Sequence, residues 1–207
     1  MVSCCDLIKP DISYYFELIS LRDEIIAEDG IRGRSGSLER MKNIPQWLDF
    51  NKRLENAYTV PAGWVESEQF IYVRKSDHRI VGMILFRHYV NDFLGPYVGH
   101  IGYSVRPSER RKGYGTQMLA DCLKVCKDFG LEHVLVTCSP DNEGSKKIIL
   151  SNKGVYEGKV YYAMEDTYLN RYWITIADLD NDDSESTGLE NEDSKISDFA
   201  DIDHEDA

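Results

Sequence analysis

The chain has little that points to export, a membrane anchor or a disulfide framework. Its longest apolar run, residues 80–86, is far shorter than the ~18 residues that a membrane-spanning helix needs. Residues 1–10 lack a basic segment followed by an apolar one, so no signal peptide is predicted. The five cysteines are odd in number and form no CxxC pair, which argues against paired disulfides and a structural zinc site. These absences predict a cytoplasmic protein with reduced thiols and no metal.

Basic surface stripes are also lacking, and the charge is distributed unevenly. The formal net charge is −12, from 36 acidic and 24 basic residues. Residues 178–207 contain 13 of the acidic residues and one basic residue, Lys195, so the rest of the chain is neutral. We therefore predict neither a nucleic-acid partner nor a membrane partner. Because residues 177–207 also lack a periodic apolar pattern, we predict a disordered acidic tail after one domain, residues 1–176.

What the chain does contain is an alternation of helical and strand periodicities, which predicts a mixed α/β domain. With 42% hydrophobic residues it has enough apolar material for one core. The predicted helices cover residues 14–29, 38–41, 46–56, 115–129 and 145–152. The predicted strands cover residues 69–75, 79–90, 98–105 and 134–138, and two more lie within 155–176.

The strongest functional signal lies in residues 100–115. A strand leads to three consecutive basic residues, which are followed by Gly113 and Gly115 at a helix start. A helix N-terminus presents unpaired N–H groups and the positive end of its dipole, and glycines let an anion approach them closely. The segment therefore predicts a pyrophosphate cradle. It does not match GxGxxG, because Met118 occupies the third glycine position, and the P-loop pattern GxxxxGK[ST] is absent from the chain.

The segment does match [Q/R]-x-x-G-x-[G/A], and on this motif the chain resembles the GNAT superfamily of N-acetyltransferases. Tyr103-Ser104-Val105 with Pro107 matches the family's fourth strand, and residues 142–145 and 154–156 match its second motif, N-x-x-S…G-[hydrophobic]. The resemblance implies a GNAT-like α/β fold of the α+β type, with a mixed, mostly antiparallel central sheet flanked by helices. It also implies that acetyl-CoA lies between the splayed strands 98–105 and 134–138.

The same resemblance implies transfer of an acetyl group from the co-substrate acetyl-CoA to a primary amine in a ternary complex. We expect a small-molecule amine; a protein or peptide amine, and a non-catalytic acyl-CoA-binding module, remain as alternatives. A homodimer also remains open. The cofactor-binding residues that the resemblance implies are Tyr103, Val105, Arg110, Arg111, Lys112, Gly113, Tyr114, Gly115, Thr116, Asn142 and Ser145.

The catalytic groups are less clearly marked. Many family members carry a tyrosine on the last helix as the acid for the leaving thiolate, but residues 148–150 here are Ile-Ile-Leu. Three tyrosines further on are alternatives: Tyr156, Tyr161 and Tyr162. Asn142 is a candidate for holding the pantetheine or thioester, or a helix N-cap. For the general base the candidates are His100, whose residue type titrates near neutral pH, and the carboxylates Glu66 and Glu68.

Overall fold

Seven strands form one sheet in the computed structural model, which describes residues 4–30, 36–92 and 95–179. The strands are β1 (Cys5–Ile8), β2 (Ser67–Arg74), β3 (Ile80–Arg87), β4 (Ile101–Val105), β5 (His133–Cys138), β6 (Val155–Tyr162) and β7 (Thr167–Thr175). They lie in the order β1-β2-β3-β4-β5-β7-β6. Only β4 and β5 are parallel. The predicted mixed, mostly antiparallel sheet flanked by helices is therefore confirmed.

Helices cover both faces of this sheet. They are α1 (Tyr15–Asp29), α2 (Ile44–Leu54), α3 (Tyr114–Phe129) and α4 (Glu143–Ser151). Apolar residues of α1 and α2, including Leu21 and Trp47, pack with Met83 of β3 on one face. On the other face Met118 and Cys122 of α3 pack in a second core with residues of β2 to β5. The sheet is thus the middle of three layers.

The predicted elements occur in the predicted order. The differences concern the ends of elements, the type of one short helix and one strand that was not predicted. The helix predicted over residues 46–56 begins two residues earlier, because Asn43 caps it by accepting a hydrogen bond from the Gln46 amide at 2.9 Å. The helix predicted over 38–41 is a 3₁₀ turn, Leu38–Arg40. Strand β1 was not predicted, because its four residues form a strand by pairing with β2, more than 60 positions away.

The described structure continues beyond the predicted boundary at Ile176. A 3₁₀ turn spans Ile176–Leu179; Ile176 is buried in the core and Leu179 packs against it. The described domain therefore ends at least three residues later than predicted, and residues 180–207 of the predicted acidic tail lie outside the described residues. Within the described parts of the chain, no helix is long and apolar enough to cross a membrane.

The sheet opens between its two parallel strands. β4 pairs with β5 at Ile101 and Val136, and the adjacent His100 amide donates to the Leu135 carbonyl at 2.8 Å. Beyond this point β4 continues along β3 as far as Val105, whereas β5 continues along β7 as far as Cys138. The carboxyl ends of β4 and β5 therefore diverge, and α3 is the crossover between them.

Candidate functional site

A cleft of about 1110 Å³ begins where β4 and β5 diverge. One half, the cofactor half, is lined by the loop before α3, the first turn of α3 and the start of α4. The other half, the acceptor half, is lined by the α1–α2 connection, α2, β3 and the β6–β7 hairpin. Every predicted cofactor-binding residue lines the cleft except Lys112: Tyr103, Val105, Arg110, Arg111, Gly113, Tyr114, Gly115, Thr116, Asn142 and Ser145.

The start of α3 has the backbone geometry of an anion site. Gly113 is the N-cap residue, in a left-handed conformation with φ of 83°, and Arg111 before it also has a positive φ of 65°. Only glycine adopts such angles freely, so Gly113 is the residue that allows the strand to turn sharply into the helix. The turn directs the first N–H groups of a 16-residue helix into the cleft.

The three basic residues of the motif differ in their partners. Arg110 forms a two-pronged ion pair with Asp29 of α1 and donates to the Val105 carbonyl at 3.2 Å. Lys112 donates to Glu109 at 2.9 Å and is not among the residues that line the cleft. Arg111 is exposed and forms no ion pair within the described part of the chain. Arg110 and Lys112 therefore hold the loop in place, and Arg111 is the side chain available to a bound anion.

Gly115 lies where α3 packs closely against α4 and β4. A Cβ at this position would lie 2.5 Å from the Ile148 side chain and 3.1 Å from that of Val105. Such contacts are too short, so a side chain here would push α3 away from α4 and β4. Packing between elements is therefore one reason for a glycine at this position, and the close approach of a pyrophosphate that the motif implies stays a prediction.

Asn142 and Ser145 shape the opposite wall of the cofactor half. The Asn142 Oδ1 accepts from the Ser145 amide at 2.9 Å, which is N-cap geometry at the start of α4. The Ser145 hydroxyl lies 2.8 Å from the hydroxyl of Tyr103 on β4. Burial raises the pKa of Tyr103 well above its ordinary value, partly offset by this hydrogen bond, so Tyr103 stays protonated at neutral pH. A neutral phenol thus lies beside the first turn of α4.

None of the three predicted bases lines the cleft. The His100 ring is buried, and its Nδ1 accepts from the Leu135 amide at 3.0 Å. Burial and then the charge of Arg87 lower the pKa of His100, so the ring is a neutral link between β4 and β5. Glu68 is bound by Lys9 and His88 at 2.7 and 2.9 Å, and Glu66 precedes β2 outside the cleft. Their positions do not support a base role.

A carboxylate that sequence reasoning missed does line the acceptor half. Glu39 lies in the 3₁₀ turn between α1 and α2, and only 1% of its side chain is exposed. Two contacts hold this turn: the Trp47 indole donates to the Gly36 carbonyl at 2.8 Å, and Leu38 is buried against α1 and α2. No spacing in the sequence marks Glu39, because its position in the cleft depends on how the 3₁₀ turn packs in the tertiary structure.

Aromatic and basic side chains complete the acceptor half. Phe50 and Trp64 meet edge to face with ring centres 5.4 Å apart. Tyr162 lines the cleft from the β6–β7 hairpin, whereas Tyr156 and Tyr161 lie outside its lining. Arg87, at the end of β3, also lines the cleft and lies beside Gly102, close to the point where the strands diverge.

Comparison with known proteins agrees with this architecture. Residues 38–149, more than half of the chain, match the family model described as Acetyltransferase (GNAT) family. No curated protein matches the sequence significantly.

Several solved structures share the fold at low sequence identity. The acetyltransferase that modifies the N-terminal serine of ribosomal protein L7/L12 in Salmonella typhimurium is 18% identical, with a TM-score of 0.61 over 84% of this chain and 95% of that one. A spermidine N-acetyltransferase chimera from Vibrio cholerae and hSSAT is 12% identical, with a TM-score of 0.61 over 86% and 99%. The microcin C7 self-immunity acetyltransferase MccE, in complex with acetyl-CoA and AMP, is 18% identical, with a TM-score of 0.62 over 83% and 92%. These likenesses show a shared fold, and the family match shows that the chain belongs to the GNAT family and is an N-acetyltransferase.

Proposed function

We propose that this acetyltransferase moves the acetyl group of acetyl-CoA to the primary amine of a small molecule, by direct attack in a ternary complex. The observation that carries the proposal is the cleft itself: an anion site at the start of α3 and a buried carboxylate, Glu39, line the same cavity. Acetyl-CoA supplies an anionic pyrophosphate and a thioester, and the acceptor supplies a cationic amine, so each end of the cleft has a matching group.

The cofactor half would hold acetyl-CoA mainly through the backbone. The pyrophosphate binds the N–H groups of the first turn of α3, with Arg111 as an additional donor. The pantetheine arm lies along β4 from Gly102 onwards, where pairing with β5 has ended. This arrangement brings the thioester to the point where the two strands diverge, between the two halves of the cleft.

In the acceptor half, Glu39 is our candidate base. An alkylammonium is protonated at neutral pH and cannot attack until it loses a proton. Glu39 accepts that proton, the neutral nitrogen attacks the thioester carbon, and collapse of the tetrahedral intermediate breaks the C–S bond. The thiolate gains a proton from a phenol, and the nitrogen loses its second proton to restore that phenol, so that a neutral amide and the CoA thiol are released. Two phenols line the cleft as proton donors for the departing thiolate, Tyr162 and the protonated Tyr103.

The shape of the acceptor half supports a small acceptor. The Glu39 carboxylate shares this cleft with the aromatic rings of Phe50, Trp64 and Tyr162. A buried carboxylate such as Glu39 is reached only by a slim amine. An N-terminal peptide is the slim alternative from a protein, and the experiment below includes it.

The test measures release of the CoA thiol with a panel of small amines and short peptides. We expect Glu39→Gln, which keeps the side-chain shape, to lower kcat by about 100-fold or more, in the range of general base catalysis. Its affinity for CoA should be unchanged, because Glu39 lies outside the cofactor half. Glu165→Gln is the matched control, since Glu165 is an exposed carboxylate of the same cleft.

Two results would contradict parts of the proposal. Full turnover by Glu39→Gln would remove the base assignment. Acetylation of peptides alone would replace the small-molecule acceptor by a protein one. Comparison of Tyr162→Phe with Tyr103→Phe identifies the thiolate acid, because only the variant that lacks the acid should lose turnover without losing CoA affinity.

A further inference from the structure

Arg87 has an unusual position at the end of β3. Its guanidinium lies over Gly102: a Cβ added there would be 3.7 and 3.8 Å from its two terminal nitrogens. Gly102 directly follows Ile101, the residue at which β4 last pairs with β5. The cation is therefore next to the point where the strands diverge, on the side of the sheet that carries Leu85. Arg87 and Leu85, both on β3, line the acceptor half. This is the position where the amine must meet the thioester.

The hydrogen bonding of this guanidinium is incomplete. Its Nη1 donates to the Gly99 carbonyl at 3.3 Å, which uses one of its five N–H donors. Across residues 4–30, 36–92 and 95–179, no carboxylate lies within ion-pair distance of it. Arg106 and Arg110, by contrast, each contact at least one carboxylate.

Arg87 is partly buried without a carboxylate partner in the described structure, which is unfavourable for a cation, and the neighbouring groups do not relieve this. Burial lowers the pKa of Arg87 to about 10, so the group is still cationic at neutral pH. The adjacent His100 is neutral and offers no charge. The buried carboxylate of this half, Glu39, lies 3.6 Å from Arg40 rather than beside Arg87. Arg87 and Glu39 thus line the same half of the cleft without forming an ion pair with each other.

We propose that Arg87 binds an acidic group of the acceptor, so that the substrates are amines with a carboxylate or a phosphate close to the amino group. The inference rests on the proposed function and names the substrate class of the same site. A guanidinium presents parallel N–H donors that match the two oxygens of a carboxylate or phosphate. Arg87 would hold the acidic group and Glu39 the ammonium, and together they would orient a zwitterionic acceptor toward the thioester.

The experiment compares matched pairs of amines that differ only in the acidic group. The pairs are L-alanine with L-alaninamide, β-alanine with β-alaninamide, and O-phosphoethanolamine with ethanolamine. For the full chain we expect kcat/KM to be at least about tenfold higher for the acidic member of one pair, since hydrogen bonds between charged groups are stronger than those between neutral groups. The pair that shows the preference distinguishes carboxylate from phosphate.

Arg87→Met should bring this ratio close to one, and Arg87→Lys should restore part of it because the charge returns without the planar fork. Arg40→Met is the matched control and should keep the ratio, since Arg40 lines the same half but is largely exposed and lies beside Glu39. If Arg87→Met lowers kcat/KM equally for both members of each pair, Arg87 acts on the thioester or the fold, and the inference is wrong.

A second measurement separates this inference from the proposed function. Calorimetry on the full chain saturated with CoA measures binding of L-alanine, β-alanine and O-phosphoethanolamine without turnover. Binding that Arg87→Met abolishes supports the acidic subsite even if none of the amines is acetylated. The inference is wrong if none of the three compounds binds, or if Arg87→Met leaves their binding unchanged. Neither outcome bears on the acetyltransferase activity, which the thiol-release assay tests separately.

Discussion

The basic residues before α3 differ mainly in whether they form an ion pair within the protein. Arg110 is tied to Asp29 and Lys112 to Glu109, whereas Arg111 has no such ion pair in the described structure. In the sequence the three are neighbours of similar type. Because an ion pair inside the protein competes with one to a ligand, the pairing separates a structural role from a binding role.

Arg111→Ala should therefore weaken CoA binding more than Lys112→Ala does. We expect the dissociation constant of CoA to rise about tenfold for Arg111→Ala, since a charge-assisted hydrogen bond to phosphate is lost and water screens part of the effect. Lys112→Ala should change it less than about twofold at the same ionic strength. Calorimetric titrations of both variants check this, and equal losses would show that the loop acts only through its net charge.

Between elements, α1 and the strand before α3 are joined by one buried side chain. Arg106 is fully buried, and its guanidinium contacts Glu17 at 2.8 Å, Glu24 at 2.7 Å and the Ile80 carbonyl at 3.1 Å. Glu24 also accepts from the Ser108 hydroxyl at 2.7 Å. Burial alone would raise the pKa of Glu24, but the hydrogen bonds from Arg106 and Ser108 lower it to about 2. The carboxylate is thus stabilised in its charged form.

This junction should make the fold sensitive to acid. Since the pKa of Glu24 is lower in the folded than in the unfolded state, where it is near 4.5, its contribution is fully present above pH 4.5 and is lost as the pH falls toward 2. The shift corresponds to about 2–3 kcal/mol of unfolding free energy. Glu24→Gln should unfold more easily in urea at pH 7 and lose less further stability between pH 4.5 and 2 than the parent protein.

The control for this prediction is Glu28→Gln, which changes an exposed carboxylate of the same helix. Its urea midpoint should follow that of the parent protein across the pH range. If Glu24→Gln also follows the parent protein, Arg106 is held by Glu17 alone, and the junction does not depend on Glu24.

For the whole molecule, the sequence assigns nearly all net charge to the C-terminal residues, while the structure extends the core to Leu179. We predict that a chain ending at Leu179 keeps the melting temperature of the full chain but becomes less soluble near pH 7, because its net charge is close to zero. A chain ending at Thr175 also loses the buried Ile176, a cost of ~2 kcal/mol, and should melt about 5 °C lower.

Thermal unfolding of the three chain lengths under one buffer tests this prediction. A lower melting temperature for the chain ending at Leu179 would mean that residues beyond 179 stabilise the domain. The same three proteins show, through kcat/KM for a cationic amine at low and high salt, whether the acidic segment attracts substrates electrostatically.

Much of the architecture was determined by local patterns in the sequence. The periodicities of α1, α3 and β3, and the basic residues and glycines before α3, occupy contiguous residues. Their geometry depends on neighbours a few positions away, so the fold class and the glycine-rich helix start could be predicted from the sequence itself. Ten of the eleven predicted cofactor-binding residues line the cleft. Asn142 is similar, because a cap is formed by residues three positions apart.

Only the tertiary structure decided which charged side chains line the acceptor half of the cleft. His100 is a candidate base by residue type, yet its ring accepts a hydrogen bond from the Leu135 amide and so links β4 to β5. Glu39 and Arg87 carry no motif, and they meet one cleft because the α1–α2 turn packs over β3 and because β4 separates from β5 after Ile101. Those contacts join residues far apart in the chain, so strand register and packing, which no local pattern encodes, determine where each side chain points.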